Sequence, residues 1–492
     1  MRQTRTTTAA ATAAAIAVIG AAALGGEATG ADADRVPGLG PAPIVAAPRQ
    51  DERRPNVIVV MTDDQTVGDL AAMPRTRALL GGAGVTFDRS YSSYPVCAPS
   101  RATFLSGQYA HNNGVMGIYR PTGGYSRFDA ANALPVWLQD AGYDTIHLGK
   151  YVNGYGTDVP ATQPPGWSEW YGAIDPTTYR MWGYSLNENG TVRTYGSPRD
   201  EDPRLYQTDV LAGHALRAIE RRAGEARPFF MSLAFLAPHH ESAALRQATG
   251  RVVRAAPRHA GARAAGSAPA TPAYDEADVS DKPRFIRRRH RLAPEEAVAI
   301  DRRRHERRRS LLSVDEAVEQ LVATLRRTGQ LERTYILFTS DNGYLQGEHR
   351  VPAGKVLPYE AAARVPLLIR GPGLAAGART RALVSNIDLA PTILELARAA
   401  PGRRLDGRSL LPFARDPRKR ATRPLLLESG RPAYRAVRTD RWLYVRYGSG
   451  ERELYDLHRD PHELRSLHAD PRLVRTRAKL SATLRRLAGG GR

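Results

Sequence analysis

Four polar clusters, Asp63-Asp64, Lys150, His239-His240 and Asp341-Asn342, each follow closely on an apolar run rich in β-branched and other large side chains. The runs are Asn56–Met61, Thr145–Leu148, Phe229–Leu236 and Tyr335–Thr339, and Val365–Ile369 is a fifth of the same kind. Short continuous apolar runs without alternation read as strands buried on both faces. Ligands of open α/β sheets bind beyond the carboxyl ends of the strands, so four such strands deliver carboxylates, imidazole and ammonium to one crevice. A polar residue after one strand can simply begin a loop. The same pattern after four strands is the layout of an active site.

Helical stretches lie between these strands. In Ser310–Arg327, Leu311, Val314, Val318, Leu321, Val322 and Leu325 recur at spacings of three and four and fall on one face. Strands alternating with helices imply an α/β layered fold with a mostly parallel sheet. Residues 242–282 are rich in Ala, Arg, Gly and Pro without periodicity and read as a long excursion over the sheet edge, in the manner of a lid. Residues 284–309 hold eleven Arg against four acidic residues, which fits a solvated helical face or, as the alternative, a polyanion-binding helix. Beyond Pro401, Trp442–Tyr447 and Glu453–Asp456 alternate in the manner of a small antiparallel sheet.

The chain has 492 residues with 71 Lys plus Arg against 50 Asp plus Glu, a formal charge of +21, and is 42% apolar and 25% charged. That composition belongs to a globular protein and excludes a multi-span membrane protein and wholesale disorder. Only five of the basic residues are Lys: Lys150, Lys282, Lys355, Lys419 and Lys479. An Arg-rich solvated surface accounts for the charge, and attraction of polyanions is the other reading. Arg2 and Arg5 precede the Ala-rich apolar stretch Ala9–Leu24, and small residues follow at Ala31–Ala33, as in a secretory signal. The expected organisation is a signal peptide with the start of a lead-in over 1–32, a linker over 33–54, a catalytic α/β domain over 55–400 and a subdomain over 401–492. Secretion and no stable membrane insertion follow from that reading. Cys97 is the only cysteine, so neither an intramolecular disulfide nor a cysteine-rich zinc site can form.

A lone Cys is ordinarily a buried small hydrophobe. Here it opens Cys97-Ala98-Pro99-Ser100-Arg101, continued by Ala102-Thr103-Phe104-Leu105-Ser106-Gly107. This run resembles the signature of the type I sulfatases, in which the Cys is oxidised to Cα-formylglycine. The branch containing N-acetylglucosamine-6-sulfatases and arylsulfatases is similar through Gly149–Tyr155, Ser310–Asp315, Val365–Gly373 and Ser385–Thr392. The resemblance implies an alkaline-phosphatase-like sandwich, with a large mostly parallel sheet flanked by helices and a small C-terminal antiparallel sheet. It also implies a sulfuric ester hydrolase acting on a sugar O-sulfate or an aryl sulfate, with a formylglycine-generating enzyme as partner in maturation and no specific nucleic acid. Asp63, Asp64, Asp341 and Asn342 match the family's metal ligands, with position 97 completing the set, and all-oxygen ligation suits a hard cation such as the family's usual Ca²⁺.

On the same resemblance Cys97, Arg101, Lys150, His239 and Lys355 are the catalytic residues, and Lys150, His239, Lys355 and Asn153 contact substrate. A formylglycine hydrate attacks sulfur with one hydroxyl and expels sulfate with the other, a second half that an ordinary Ser or Cys could not perform easily. Arg101 holds the hydrate, the two Lys meet the developing charge, and His239 protonates the leaving oxygen or, alternatively, is structural. His111 and His349 are more distant candidates. Val152 stands where many members carry His, which gives Asn153 the expected hydrogen bond to the nucleophile, and His240-Glu241-Ser242-Ala243 departs from the branch's usual residues. A phosphonate or phosphodiester hydrolase on the same scaffold and an idle polyanion-binding protein are the competing functions.

Overall fold

The strand Asn56–Thr62 buries every side chain, and alternate positions face opposite ways. Val57, Val59 and Met61 join an apolar cluster with Ala98, Ala102 and Leu105, whereas Ile58 and Val60 join a second with Leu311, Val314 and Val318. A strand covered by helices on both faces has no polar side to show, which is why its sequence is a continuous apolar run. Each Val or Ile buried in this way contributes about 1.5–3 kcal/mol.

The structure is a computed structural model that describes residues 54–263 and 271–489. The signal peptide and all of the linker but Arg54 lie outside the described residues. In chain order the strands are β1 (Asn56–Thr62), β2 (Val85–Phe87), β3 (Ser90–Tyr91), β4 (Asp144–Gly149), β5 (Glu169–Ala173), β6 (Tyr184–Glu188), β7 (Thr191–Tyr195), β8 (Phe229–Ala234), β9 (Thr334–Ser340), β10 (Arg364–Val365), β11 (Leu367–Arg370), β12 (Ala378–Thr380), β13 (Val384–Ser385), β14 (Leu425–Gly430), β15 (Ala433–Arg438), β16 (Trp442–Tyr447) and β17 (Arg452–Asp456). Ten of them form one sheet in the order β12-β2-β11-β9-β1-β8-β4-β5-β6-β7. Its centre, from β9 to β5, is parallel, and antiparallel pairings with β11 and β6 flank it. Strands β10, β3 and β13 make a small separate sheet.

Helix α1 (Cys97–Ser106) covers one face of the large sheet, and α2 (Gln207–Arg221) and α3 (Pro294–Arg327) cover the other. The stripe from Leu311 to Leu325 faces the sheet as its spacing requires. Helix α3 begins at Pro294 rather than Ser310, so it absorbs much of the Arg-rich segment. Within that segment Arg307 and Arg308 are buried, whereas Arg302 and His305 are exposed, so a single solvated face does not describe it. The described parts of 242–282 are strapped to the helices: Arg258 reaches Asp209 of α2 and Glu316 of α3, and the Val252 N–H donates to Glu306.

Strands β14 to β17 form the antiparallel meander that the alternating aromatic runs announce. Leu427, Ala436 and Val445 on one face pack with Tyr359, Ala362 and Leu383, and Leu426, Val437 and Tyr444 on the other pack with α4 (Val474–Leu487). Among the described residues no helix is long and apolar enough to cross a membrane.

Candidate active site

Strand register brings the polar clusters together. Thr62 of β1 pairs with Ser340 of β9 in a parallel ladder, so Asp63 and Asp64 leave the sheet beside Asp341 and Asn342. On the other side Met61 pairs with Ala234 of β8, which runs on to His239, and Ala234 also pairs with Gly149 of β4, which precedes Lys150. The four site strands are therefore consecutive neighbours, and their carboxyl ends converge as in other open sheets. Asp64 has a left-handed φ of +67°, a conformation that a non-glycine residue holds only when its surroundings fix it. Its N–H donates to Asp341 Oδ1 at 3.1 Å and its carbonyl accepts from Arg307 Nη2 at 2.5 Å.

Cys97 is the first residue of α1 and is buried. Its Sγ lies 3.3 Å from Asp63 Oδ1 and accepts from Lys355 Nζ at 2.7 Å. Lys150 Nζ contacts Asp63, and Lys355 Nζ contacts Asp64. Arg101, one turn along α1, donates from Nε to Asp341 Oδ2 at 2.8 Å and from Nη1 to the Lys150 carbonyl at 2.7 Å, with Nη2 3.5 Å from Asp63. His239 Nε2 is 3.6 Å from Asp64 Oδ2, and its Nδ1 bonds the His240 carbonyl at 2.6 Å, which fixes the neutral ring with its proton on Nδ1.

The charges in this space set one another's ionisation. Burial works to raise the Asp63 carboxyl, but Lys150, His239, Arg101 and Lys355 together hold it well below its usual range. Asp64, opposed in the same way by burial, is drawn down to about 2, chiefly by Lys355. Asp341 is raised by burial and by Asp63. Burial, then Asp63, pushes the Cys97 thiol up to about 12, so the sulfur is a neutral thiol at pH 7 and no thiolate nucleophile. Burial carries His239 down to about 4 against the pull of Asp63 and Asp64.

The donor set fits a hard divalent cation. Asp64 Oδ2 and Asn342 Oδ1 are buried oxygens without a hydrogen-bond donor. Ligand atoms of Asp63, Asp64, Cys97 and His239 all lie within 4.8 Å of one another. Within this group the two carboxylates, with the unpartnered Asn342 amide oxygen bonded beside Asp64, are the donors a hard divalent cation takes. Asn342 Nδ2 donates to Asp64 Oδ1 at 2.6 Å, which turns its carbonyl oxygen free. Both Asp341 oxygens accept bonds from the chain itself, from Asp64 N–H and from Arg101.

Other expected residues sit elsewhere. Asn153 donates to the Tyr179 hydroxyl and not to Cys97, because Tyr179, from a turn far along the chain, covers Lys150 with its ring at 4.7 Å. Asn153 also lines a cavity of about 400 Å³ with Tyr119, Gly124, Tyr125 and Tyr155, and Tyr119 stands half out of its rim. His111 is held by Glu428 at 2.9 Å and His349 by Glu276 at 2.7 Å, both away from the Asp63–Asp64 group. The unusual Glu241 is structural: it is buried and grips Arg254 at 2.7 Å.

Arg307 is the site residue that the sequence reading passed over. It is buried, its Nη1 donates to the Pro238 carbonyl at 3.1 Å, and its guanidinium lies 4.6 Å over the Tyr344 ring. It thereby ties the turns that carry Asp64 and His239 to α3. Replacing it by methionine keeps most of the volume but strands two buried carbonyls, each worth about 1–3 kcal/mol. Arg307→Met is expected to lower unfolding stability by about 2–4 kcal/mol. Urea denaturation checks this, and a loss under 1 kcal/mol would deny Arg307 the positioning role.

A mostly parallel α/β sheet gathers three acids, two lysines and an arginine at its carboxyl edge, beside a cysteine that opens a helix. The sulfatase family model matches residues 55–399, and the model for the C-terminal part of N-sulphoglucosamine sulphohydrolase matches residues 347–489. The chain belongs to the sulfatase family. It is 36% identical to human N-acetylglucosamine-6-sulfatase over 376 residues, 74% of this chain and 65% of that protein. It is 34% identical to the Drosophila melanogaster extracellular sulfatase SULF-1 homolog over 371 residues, 74% of this chain and 31% of that protein. The chain thus spans only part of the length of both relatives. A solved structure described as a complex with its substrate D-glucosamine-2-N,6-O-disulfate superposes with a TM-score of 0.69 at 21% identity, over 89% of this chain and 99% of that one. That likeness establishes the shared fold.

Proposed function

We propose that the protein hydrolyses a sulfate monoester of a sugar, of the glucosamine 6-O-sulfate kind, using formylglycine made from Cys97 and one divalent cation held by Asp63, Asp64, Asp341 and Asn342. The observation that carries the reading is the position of Cys97 at the start of α1, with Sγ 3.3 Å from Asp63 and 2.7 Å from Lys355. The thiol itself is a poor nucleophile there, which agrees with a role as precursor. When present, the hydrated aldehyde supplies two hydroxyls, one to attack and one to expel sulfate, and the cation supplies fixed positive charge.

The chain's own residues do the remainder. Lys150 and Lys355 bring two ammonium groups to the nucleophile, and an incoming sulfate takes over part of the charge that now faces Asp63 and Asp64. Arg101 fixes Asp341 and the Lys150 backbone, so the acids and the lysine keep one geometry through the reaction. His239, neutral in the free protein, gains its proton when the anionic ester arrives beside it, and then donates from Nε2 to the leaving oxygen. The cavity beside Asn153 and Tyr119 offers room for the sugar. Secretion is part of the proposal and rests on the N-terminal sequence and on the extracellular relative.

The test is a mass spectrum of the tryptic peptide Ser90–Arg101 from the native host, together with turnover. Formylglycine in place of Cys97 and a higher kcat/KM for a glucosamine 6-sulfate than for a matched phosphodiester are expected. An unmodified thiol in active material, or preference for the phosphodiester, would overturn the reading.

A further inference from the structure

The outer face of the C-terminal sheet carries a row of like charges that neither the fold nor the active site uses. Arg435 of β15 pairs directly with Arg446 of β16, and Arg446 with Arg452 of β17. Side chains directly opposite on an antiparallel sheet have Cβ atoms about 4.5–5.5 Å apart, and like charges so placed repel. All three arginines are exposed, and among the described residues none has an acidic partner. The fourth member of the row, Glu428 of β14, could neutralise them but does not. It is buried, and both its oxygens are turned to His111. Helix α4 covers the neighbouring row Leu426, Val437, Tyr444 and Leu454, and Arg435 and Arg446 line a groove at its end, with Arg452 beside Arg446 on the next strand.

The groove is a cavity of about 520 Å³ walled by Arg435 and Arg446 on the sheet, Leu484 and Arg485 at the end of α4, and Met116 opposite. A second cavity of about 370 Å³ shares Ala433, Tyr447 and Gly448 with it and adds Arg284 and Arg288, the exposed start of the Arg-rich segment. The one acid there, Glu451, is already engaged by the Arg284 N–H at 2.8 Å and by Arg287 at 3.5 Å. In the other direction Met116 opens the loop that leads through Tyr119 to Gly124, which line the cavity beside Asn153. Beneath the groove the Tyr434 hydroxyl donates to the Val356 carbonyl at 2.5 Å, next to Lys355.

We propose that this groove is a docking site for the anionic stretch of a polysulfated glycan chain, separate from the site that cleaves the ester. Guanidinium groups bind sulfate oxygens in pairs of parallel hydrogen bonds, so a row of three, extended by Arg485, Arg284 and Arg288, meets several sulfates at once. Single-stranded nucleic acid, the other polyanion, is held through exposed aromatic rings, and Tyr434 and Tyr447 in this groove are buried. The chain then lies across the loop from Met116 towards the active-site cavity, which raises the local concentration of ester groups there. The binding step stands independently of the proposed hydrolysis; only its effect on turnover rests on that reading.

The experiment measures binding of a size-defined heparin oligosaccharide to the full chain as a function of salt. Arg435→Gln, Arg446→Gln and Arg452→Gln combined are expected to weaken binding about tenfold or more near 0.1 M salt and to make the log–log salt slope shallower by about 2–3. Arg199→Gln, Arg326→Gln and Arg381→Gln combined, which remove the same charge from exposed positions elsewhere, are expected to change Kd less than about twofold. Arg485→Gln alone, on the helix wall, is expected to weaken binding by a measurable fraction of the triple effect if the sheet variant folds poorly. Equal weakening by the control triple, or duplex DNA competing as well as the oligosaccharide at equal charge, would overturn the proposal. In turnover, the groove variant should lose kcat/KM on a sulfated oligosaccharide and keep it on a small aryl sulfate. If no variant hydrolyses any sulfate ester but the binding differences persist, the hydrolase reading fails and the groove stands.

Discussion

Cys97→Ala is expected to reduce kcat on any sulfate ester by a factor on the order of 10⁴ or more while leaving the fold in place. The size follows from the nucleophile's role, since losing the attacking group removes the covalent route and leaves only what binding and fixed charge can do. The stability forecast follows from what the sulfur touches. Its polar contacts are Asp63 and Lys355, which also hold other partners, so truncation to a methyl should cost no more than about 1 kcal/mol. Cys97→Ser separates two readings of the same position. If an unmodified side chain attacked sulfur, a hydroxyl at the same place would keep part of the rate. If an aldehyde is required, a serine that is not oxidised is as inactive as alanine. The thiol held near 12 favours the second outcome. Turnover of a small aryl sulfate and a thermal unfolding curve, measured on the same preparations, decide between them. A serine variant with more than about a hundredth of wild-type kcat would remove formylglycine from the mechanism.

The central architecture was legible in the sequence because strands buried on both faces cannot hide: β1, β4, β8 and β9 are rich in large apolar side chains, and the chain beyond each leads to a residue of the site. What spacing could not show was their order, which is written in the pairing of Thr62 with Ser340 and of Ala234 with both Met61 and Gly149. The edge strands β6 and β7 went unread, since Thr191–Tyr195 is exposed and carries no buried face to impose a pattern. The apolar stripe of helix α3 was legible only from Ser310, because the turns before it, Asp301–Arg309, are Arg, acid and His throughout. Arg307 shared that camouflage. Its type matches its solvated neighbours, and only its phase, four residues before Leu311 and seven before Val314, continues the buried stripe. Asn153 is expected at the nucleophile because a hydrogen-bonding group next to a missing His position is a natural substitute, but its amide donates to Tyr179, whose turn no local signal connects to β4. Motif reading thus finds the residues gathered at the carboxyl edge of the sheet. Residues that hold those in place from distant elements emerge only with the fold.

Arg101→Ala is expected to destabilise the protein by about 3–5 kcal/mol and to lower kcat by roughly 10²–10⁴. The guanidinium is buried, donates hydrogen bonds to Asp341 and to the Lys150 carbonyl, and forms an ion pair with Asp63. Removing it leaves Asp341, already raised by burial and by Asp63, without its nearest cation, and leaves the Lys150 carbonyl without the bond from Arg101. Arg101→Lys restores a charge but not the fork, since one ammonium on a flexible stem cannot reach all three partners together. Stability should therefore rank wild type above Lys and Lys above Ala. A divalent cation bound by the same acids supplies part of the missing positive charge, so Ca²⁺ should raise the Tm of Arg101→Ala by more than that of the wild type. Calorimetry in chelator and in Ca²⁺ measures both differences. An alanine variant as stable as wild type in chelator would show that Arg101 is dispensable to the acid cluster. Equal Ca²⁺ shifts in the two proteins would show that the cation and Arg101 do not act on the same carboxylates, and the oxygen-ligand site assigned to Asp63, Asp64 and Asp341 would have to be placed elsewhere.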